Sequence, residues 1–116
     1  MIDCTLAHVG INCSGEEEAR KSAALLEALF GLQINRNSAN SVFAGTAVEL
    51  MKTPWFGKNG HIALAVADVA AAAAELEAQG VSCNWETAKY REDGSLSILY
   101  LTDEICGFAI HLTRRG

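Results

Sequence analysis

Three imidazoles are the scarcest versatile groups in this chain: His8, His61 and His111 are its only histidines. Each falls in a run that reads as a β-strand, at 4–12, 61–67 and 108–113, and a further strand-like run at 46–51 carries the carboxylate Glu49. Successive strand side chains point to opposite faces, so parity sorts these residues. In the 61–67 run the large residues Ile62, Leu64 and Val66 share one face, which must cover a helix, while His61, Ala63 and Ala65 take the other. In the same way Phe108, Ile110 and Leu112 oppose Ala109, His111 and Thr113. Val48 and Leu50 oppose Ala47, Glu49 and Met51, and Ala7, Val9 and Ile11 oppose Leu6, His8 and Gly10. All three histidines and Glu49 therefore lie opposite the helix-covered face. The small residues around them, Gly10, Ala47, Ala63, Ala65 and Ala109, leave room for a ligand where a packed core would call for bulk.

Neutral imidazoles with one carboxylate suit a borderline divalent ion: Zn, Ni, Co, Fe or Mn. One carboxylate cancels one of the two charges. The complex stays cationic, which favours an anionic or carbonyl-bearing substrate and acidifies bound water. Any one strand histidine is explained as well by an ordinary hydrogen bond. The alternative is thus a metal-free cup in which the same groups bind a ligand or each other.

The elements that must position these residues form a repeat. After the first strand, a helical stretch runs from about 16 to 30, with Ser14 and Glu17 as a capping box and Gly31 as its stop. Leu25, Leu26 and Leu29 fall at helical spacing on the side of Ala19 and Ser22 and are expected to face the core. The cluster Glu16-Glu17-Glu18 complements the helix dipole. Strand-like runs at 32–36, 41–44 and 46–51 follow, separated by turn residues. A linker at 52–60 holds the only proline. Then the pattern restarts: a strand at 61–67, a helix from about 69 to 79 capped by Asp68 and ended by Gly80, and strands at about 81–85, 96–102 and 108–113. The stretch 87–94 reads as a loop. The echoes His8-Val-Gly-Ile11 with His61-Ile-Ala-Leu64, and Ala47-Val-Glu-Leu50 with Ala109-Ile-His-Leu112, occur in the same order in both halves. The expected organisation is one α+β domain of two β-α-β-β-β modules, at about 4–51 and 61–115.

A chain of 116 residues with half its residues hydrophobic can bury a core without disulfides. Its net charge of −5 argues against a nucleic-acid partner. No apolar run approaches a membrane span, and Met1-Ile2-Asp3-Cys4 lacks a signal-peptide pattern. Cys4, Cys13, Cys83 and Cys106 form no C-x-x-C pair and are expected as reduced thiols in a cytoplasmic protein, Cys106 in a buried turn.

The pieces Gly60-His-Ile-Ala-Leu-Ala-Val-Ala-Asp68, Ala47-Val-Glu-Leu50 and Thr102-Asp-Glu-Ile-Cys-Gly-Phe-Ala-Ile-His-Leu112 resemble the vicinal-oxygen-chelate superfamily. That superfamily includes glyoxalase I, bleomycin-resistance proteins, fosfomycin-resistance enzymes and extradiol dioxygenases, and the resemblance spans essentially the whole chain. It implies paired β-α-β-β-β modules closing a curved, half-open mixed sheet into a cup, with helices on the outer face. It implies metal ligands at His8, Glu49, His61 and His111, the last where glyoxalase I has a glutamate that also moves a proton. Glu49 or His111 would act as the base if either detaches. The implied activity is a metal-dependent, glyoxalase-like lyase or isomerase acting on a small carbonyl or vicinal-oxygen substrate by chelation and enediolate stabilisation. The alternative is a binding or sequestering protein of the bleomycin-resistance type that holds a small, possibly aromatic compound.

Aromatic residues bear on both readings. Trp55 and Phe56 of the linker can plug the sheet end or form a lid, and Trp85 and Tyr90 can line the cup mouth, with core packing the competing role for Trp85. Tyr100 has the parity of Leu96 and Ile98, which puts it on the helix side. Lys52, Lys58, Lys89 and Arg91 read as loop-solvating charges, or as counter-charges for an anionic substrate. Open sheet edges make a homodimer the expected assembly.

Overall fold

The computed structural model describes residues 1–115. Alternation of large and small residues makes β1 (Thr5–Asn12), and Gly15 then opens α1 (Glu16–Phe30). Three short strands follow, β2 (Ile34–Asn35), β3 (Ser41–Ala44) and β4 (Val48–Met51). The second half repeats the order as β5 (Gly60–Val66), α2 (Val69–Ala78), β6 (Cys83–Tyr90), β7 (Leu96–Ile105) and β8 (Phe108–Arg114). All eight strands form one mixed sheet in the order β2-β3-β4-β1-β5-β8-β7-β6. Within each half the opening and closing strands are parallel neighbours, β1 with β4 and β5 with β8. The halves meet through the antiparallel β1–β5 pair, so they join within one chain. This is the expected α+β architecture, an open mixed sheet with two helices.

Each helix covers the outer strands of its own half. Ala19 and Ala23 of α1 pack on Val42, Ala44 and Leu50, and Val69, Ala72 and Ala73 of α2 pack on Val66, Leu96, Leu99 and Leu112. Alanine at these contacts lets the helix backbone approach the sheet closely. The central strands lie between the two helices, where Leu6 and Ile11 remain exposed.

Several local expectations are corrected. The residue capping α1 is Gly15, with no side-chain cap, and it is Glu18, one position beyond Glu17, whose carboxylate accepts the Ser14 N–H at 2.8 Å. Of the three α1 leucines only Leu26 reaches the core; Leu25 and Leu29 face solvent because the buried stripe runs through Ala19 and Ala23, about a third of a turn away. Asp68 caps α2 as expected, accepting the Ala71 N–H at 3.0 Å. β6 extends to Tyr90 through residues that read as loop, because β7 pairs with it across that stretch. Cys106 is exposed in the β7–β8 turn at φ 51°, a turn too tight to bury it, and all four thiols are free.

Candidate metal centre

The four central strands carry the four residues that parity brought together. Their pairing makes two rows across the sheet. One runs Glu49, Gly10, His61, Ala109, and the next runs His8, Ala63, His111. In each row a small residue separates the functional ones, so long side chains can lean over it and meet. Gly10 shows this most sharply, since a Cβ built there would fall within the His61 ring. The imidazole of His61 fills the space over the glycine and is only 3% exposed.

The donor atoms converge. His8 Nε2 lies 3.3 Å from His61 Nε2, and Glu49 Oε1 lies 3.4 Å from the former and 3.1 Å from the latter. Donors bound at about 2.0–2.1 Å around a tetrahedral zinc ion lie about 3.3 Å from one another, so this spacing is that of atoms sharing one ion. His111 completes the set: one ligand nitrogen from each of His8, His61 and His111 lies within 4.8 Å of the others. Glu49 is outside that triad and touches two of its members. His111 Nδ1 donates to the Leu112 carbonyl at 3.2 Å, which leaves the Nε2 lone pair free. Burial pushes the His111 imidazole down to about 4, with the Leu112 bond acting the other way, so it is neutral near pH 7. Burial opposes the charge on Glu49, but hydrogen bonds from His61, His8 and Ser41 outweigh it and hold the carboxyl well below the usual range. Ser41 Oγ donates to Glu49 Oε2 at 2.6 Å. His61 Nδ1 is buried with no hydrogen-bond partner among the described residues. An ionised carboxylate, the neutral imidazole of His111 and two further imidazoles at this spacing form a donor set that fits a borderline divalent ion.

The linker is a strap over one wall of the cup. The Asn12 side chain donates to the Gly57 carbonyl at 2.9 Å and accepts the Trp55 N–H at 3.1 Å. Asn59 is tied to the β7–β8 turn, its N–H donating to the Gly107 carbonyl and its side chain to that of Cys106. Trp55 thereby reaches the site and donates its indole N–H to the Tyr100 hydroxyl at 3.1 Å, while Phe56 packs 4.8 Å from the Tyr100 ring. The Tyr100 ring in turn lies 4.7 Å from His111. Burial pushes the Tyr100 phenol up to about 12, against the pull of the Trp55 bond, so its proton stays on and is free to be donated.

Tyr100 is the site residue that parity missed. The β6–β7 register slips by one residue between the Lys89–Ile98 and Tyr90–Leu96 pairs. That bulge re-phases the strand: Leu96 joins the α2 core, while Ile98 and Tyr100 face the cup. A bulge leaves no pattern that alternation can reveal. Ser41 was likewise missed, since a serine opening a short strand is unremarkable until its partner is seen.

Trp85 and Tyr90 are placed elsewhere. Trp85 is 46% exposed and donates its indole N–H to Glu77 of α2, and both residues line a separate cleft with Asp68 and Arg114. Their strand positions point to the helix side of the sheet, away from the histidines. Lys52 does not solvate a loop: it is 7% exposed, and its ammonium donates to Asn37 Oδ1 and the Ser38 carbonyl, both at 2.6 Å.

No family model and no curated protein matches the chain. Among solved structures it is similar to methylmalonyl-CoA epimerases, which have the vicinal-oxygen-chelate fold. One, in complex with methylmalonyl-CoA and NH4+, aligns with a TM-score of 0.71 and 20% identity over 97% of this chain and 95% of that one. The Streptomyces coelicolor enzyme in complex with 2-nitronate-propionyl-CoA aligns at 0.70 and 20%, over 97% and 94%. The Mycobacterium tuberculosis epimerase aligns at 0.67 and 21%, over 96% and 87%. At such identities the likeness is one of fold.

Proposed function

We propose that this protein is a metal-dependent isomerase or lyase acting on a small carbonyl or vicinal-oxygen substrate. The observation that carries the reading is the convergence of His8, His61 and His111 nitrogens within 4.8 Å, with Glu49 against two of them. These four residues would hold a divalent ion: Zn, Ni, Co, Fe or Mn. A bound ion would supply Lewis acidity toward two adjacent substrate oxygens, lowering the barrier to proton removal from the neighbouring carbon.

The chain's own groups divide the remaining work. Ser41 fixes Glu49 in its ionised form, which balances part of the cationic charge and orients His8 and His61. His111, its Nδ1 committed to the Leu112 carbonyl, presents Nε2 to the cavity, where it would serve as a donor to the ion or as the base that takes and returns a proton. Tyr100, its ring against His111, donates a hydrogen bond to a substrate oxygen and stays protonated throughout. Trp55 and Phe56 wall the cavity and exclude water. The substrate class of the structural neighbours, an acyl thioester, is one instance of the chemistry this arrangement suits.

The aromatic wall of Trp55, Phe56 and Tyr100 favours a second reading, in which the cup sequesters a planar compound. Metal analysis of the purified protein separates the two. Stoichiometric divalent metal that is lost in both His61→Ala and Glu49→Ala supports the enzyme. Metal-free protein that binds planar aromatic compounds tightly supports sequestration and overturns the enzyme.

We further propose that the chain acts as one domain of two modules, 4–51 and 61–115, and as a homodimer in the cytoplasm. The exposed apolar residues Leu6, Leu25, Leu29 and Phe30 support the dimer, and the four free thiols support a reducing compartment. Among the described residues no helix is long and apolar enough to cross a membrane.

A further inference from the structure

We infer that the cup selects a substrate carrying an anionic oxygen group, a carboxylate or phosphate, anchored at the rim by Arg36 and Lys89. The inference deepens the proposed function and rests on it for the reacting end of the molecule. Both cations line the same cavity of about 420 Å³ as His8, His61 and His111. The carboxylate in that lining, Glu49, has both oxygens engaged, Oε1 with the imidazoles and Oε2 with Ser41.

Among the described residues neither Arg36 nor Lys89 forms a salt bridge, whereas Arg20 and Lys21 on α1 pair with Glu16 and Glu17. The two rim cations lie instead over aromatic faces, the Arg36 guanidinium 4.7 Å from the Phe43 centroid and the Lys89 ammonium 5.9 Å from that of Trp55. Those stacks orient the charged ends without neutralising them. Arg36 also occupies φ 41°, a left-handed backbone that arginine rarely adopts. The turn that follows it is pinned from behind by the buried ammonium of Lys52, a third cation with no carboxylate partner among the described residues.

In a chain of net charge −5, two cations lining one cavity without a carboxylate partner among the described residues run against the overall balance. Cations at the rim, with the Glu49 carboxylate engaged by the imidazoles and Ser41, concentrate anionic ligands there. A guanidinium binds carboxylate or phosphate oxygens through two parallel N–H donors, and Ser38, Asn40 and Thr113 add neutral polar contacts in the same lining.

The test compares three chelators that share one hydroxamate: neutral acetohydroxamate, succinate monohydroxamate and phosphonoacetohydroxamate. They are titrated calorimetrically into zinc-loaded protein at low ionic strength. An anionic probe is expected to bind about tenfold or more tightly than acetohydroxamate, and the better of the two identifies the oxyanion. Arg36→Gln and Lys89→Gln are each expected to weaken the anionic probes about three- to tenfold, less at high salt, and to leave acetohydroxamate within about twofold. Equal binding of all three probes overturns the inference, as do variants that weaken acetohydroxamate equally. Failure of the metal reading looks different, because acetohydroxamate then shows no zinc-dependent binding. Malonate titrated into metal-free protein then decides: weaker binding by both variants upholds the rim assignment, and unchanged binding overturns it.

Discussion

Gly10→Ala is the smallest change that reaches the centre of the site. It adds one methyl to β1, on the face where the His61 ring lies. A Cβ at this position would sit 2.5 Å from both Nδ1 and Nε2 of that ring, and ordinary contact starts near 3.4 Å. The imidazole must therefore retreat by about 0.9 Å or more. Metal–ligand distances tolerate about 0.2 Å, so the shift takes Nε2 out of a common coordination shell with His8 and His111. The ring has little room to retreat, since His8 and His111 lie 5.3 and 5.5 Å from it, centroid to centroid. Overpacking of this kind costs about 1–3 kcal/mol, and removing a strand glycine returns about 0.5–1 kcal/mol. The expected net loss of stability is therefore about 1–2 kcal/mol, while zinc affinity falls at least about tenfold to a hundredfold. Zinc competition against a chromophoric chelator, read beside thermal melts, measures both. Gly15→Ala is the control, because nothing lies within 4 Å of a Cβ there. Wild-type zinc affinity in Gly10→Ala would refute the reasoning.

Other perturbations probe the frame. Asn12→Ala removes the hydrogen bonds at 2.9 and 3.1 Å that hold the strap, and limited proteolysis should show faster cleavage within 52–59, with about 1–3 kcal/mol lost in denaturant melts. Unchanged cleavage would mean that Asn12 does not hold it. Leu99 is fully buried against α2, so Leu99→Ala should cost about 3 kcal/mol and lower Tm by roughly 10–20 °C; a loss below about 1 kcal/mol would contradict the assigned core.

Much of this arrangement was legible in the residues, and the exceptions have physical causes. Strict alternation along β4, β5 and β8 put Glu49, His61 and His111 on one face, because nothing interrupts those strands near the site. Asp68 and Gly31 marked helix ends because capping is local chemistry, set by neighbours in the chain. Parity failed at Tyr100, where a one-residue register slip turns β7, and the fate of Trp85 depended on Glu77, a partner eight residues away on α2. The leucines of α1 misled for a different reason. Hydrophobic spacing shows a stripe but not which stripe the sheet accepts, and here a close approach favoured Ala19 and Ala23. Of the rim cations, Lys89 was legible as a solvated charge or as a counter-charge for an anionic substrate, and Arg36 only as the end of a strand-like run, since the stack of Lys89 on Trp55 joins distant segments.

The central claim is that imidazoles on three strands converge on one ion. X-ray absorption at the zinc edge of protein loaded with one equivalent tests it directly. Nitrogen and oxygen donors near 2.0 Å are expected, with outer-shell scattering from about three imidazoles and no sulfur. A zinc–sulfur distance near 2.3 Å, which would place the ion on the free thiols, or scattering from one imidazole or none, would contradict it.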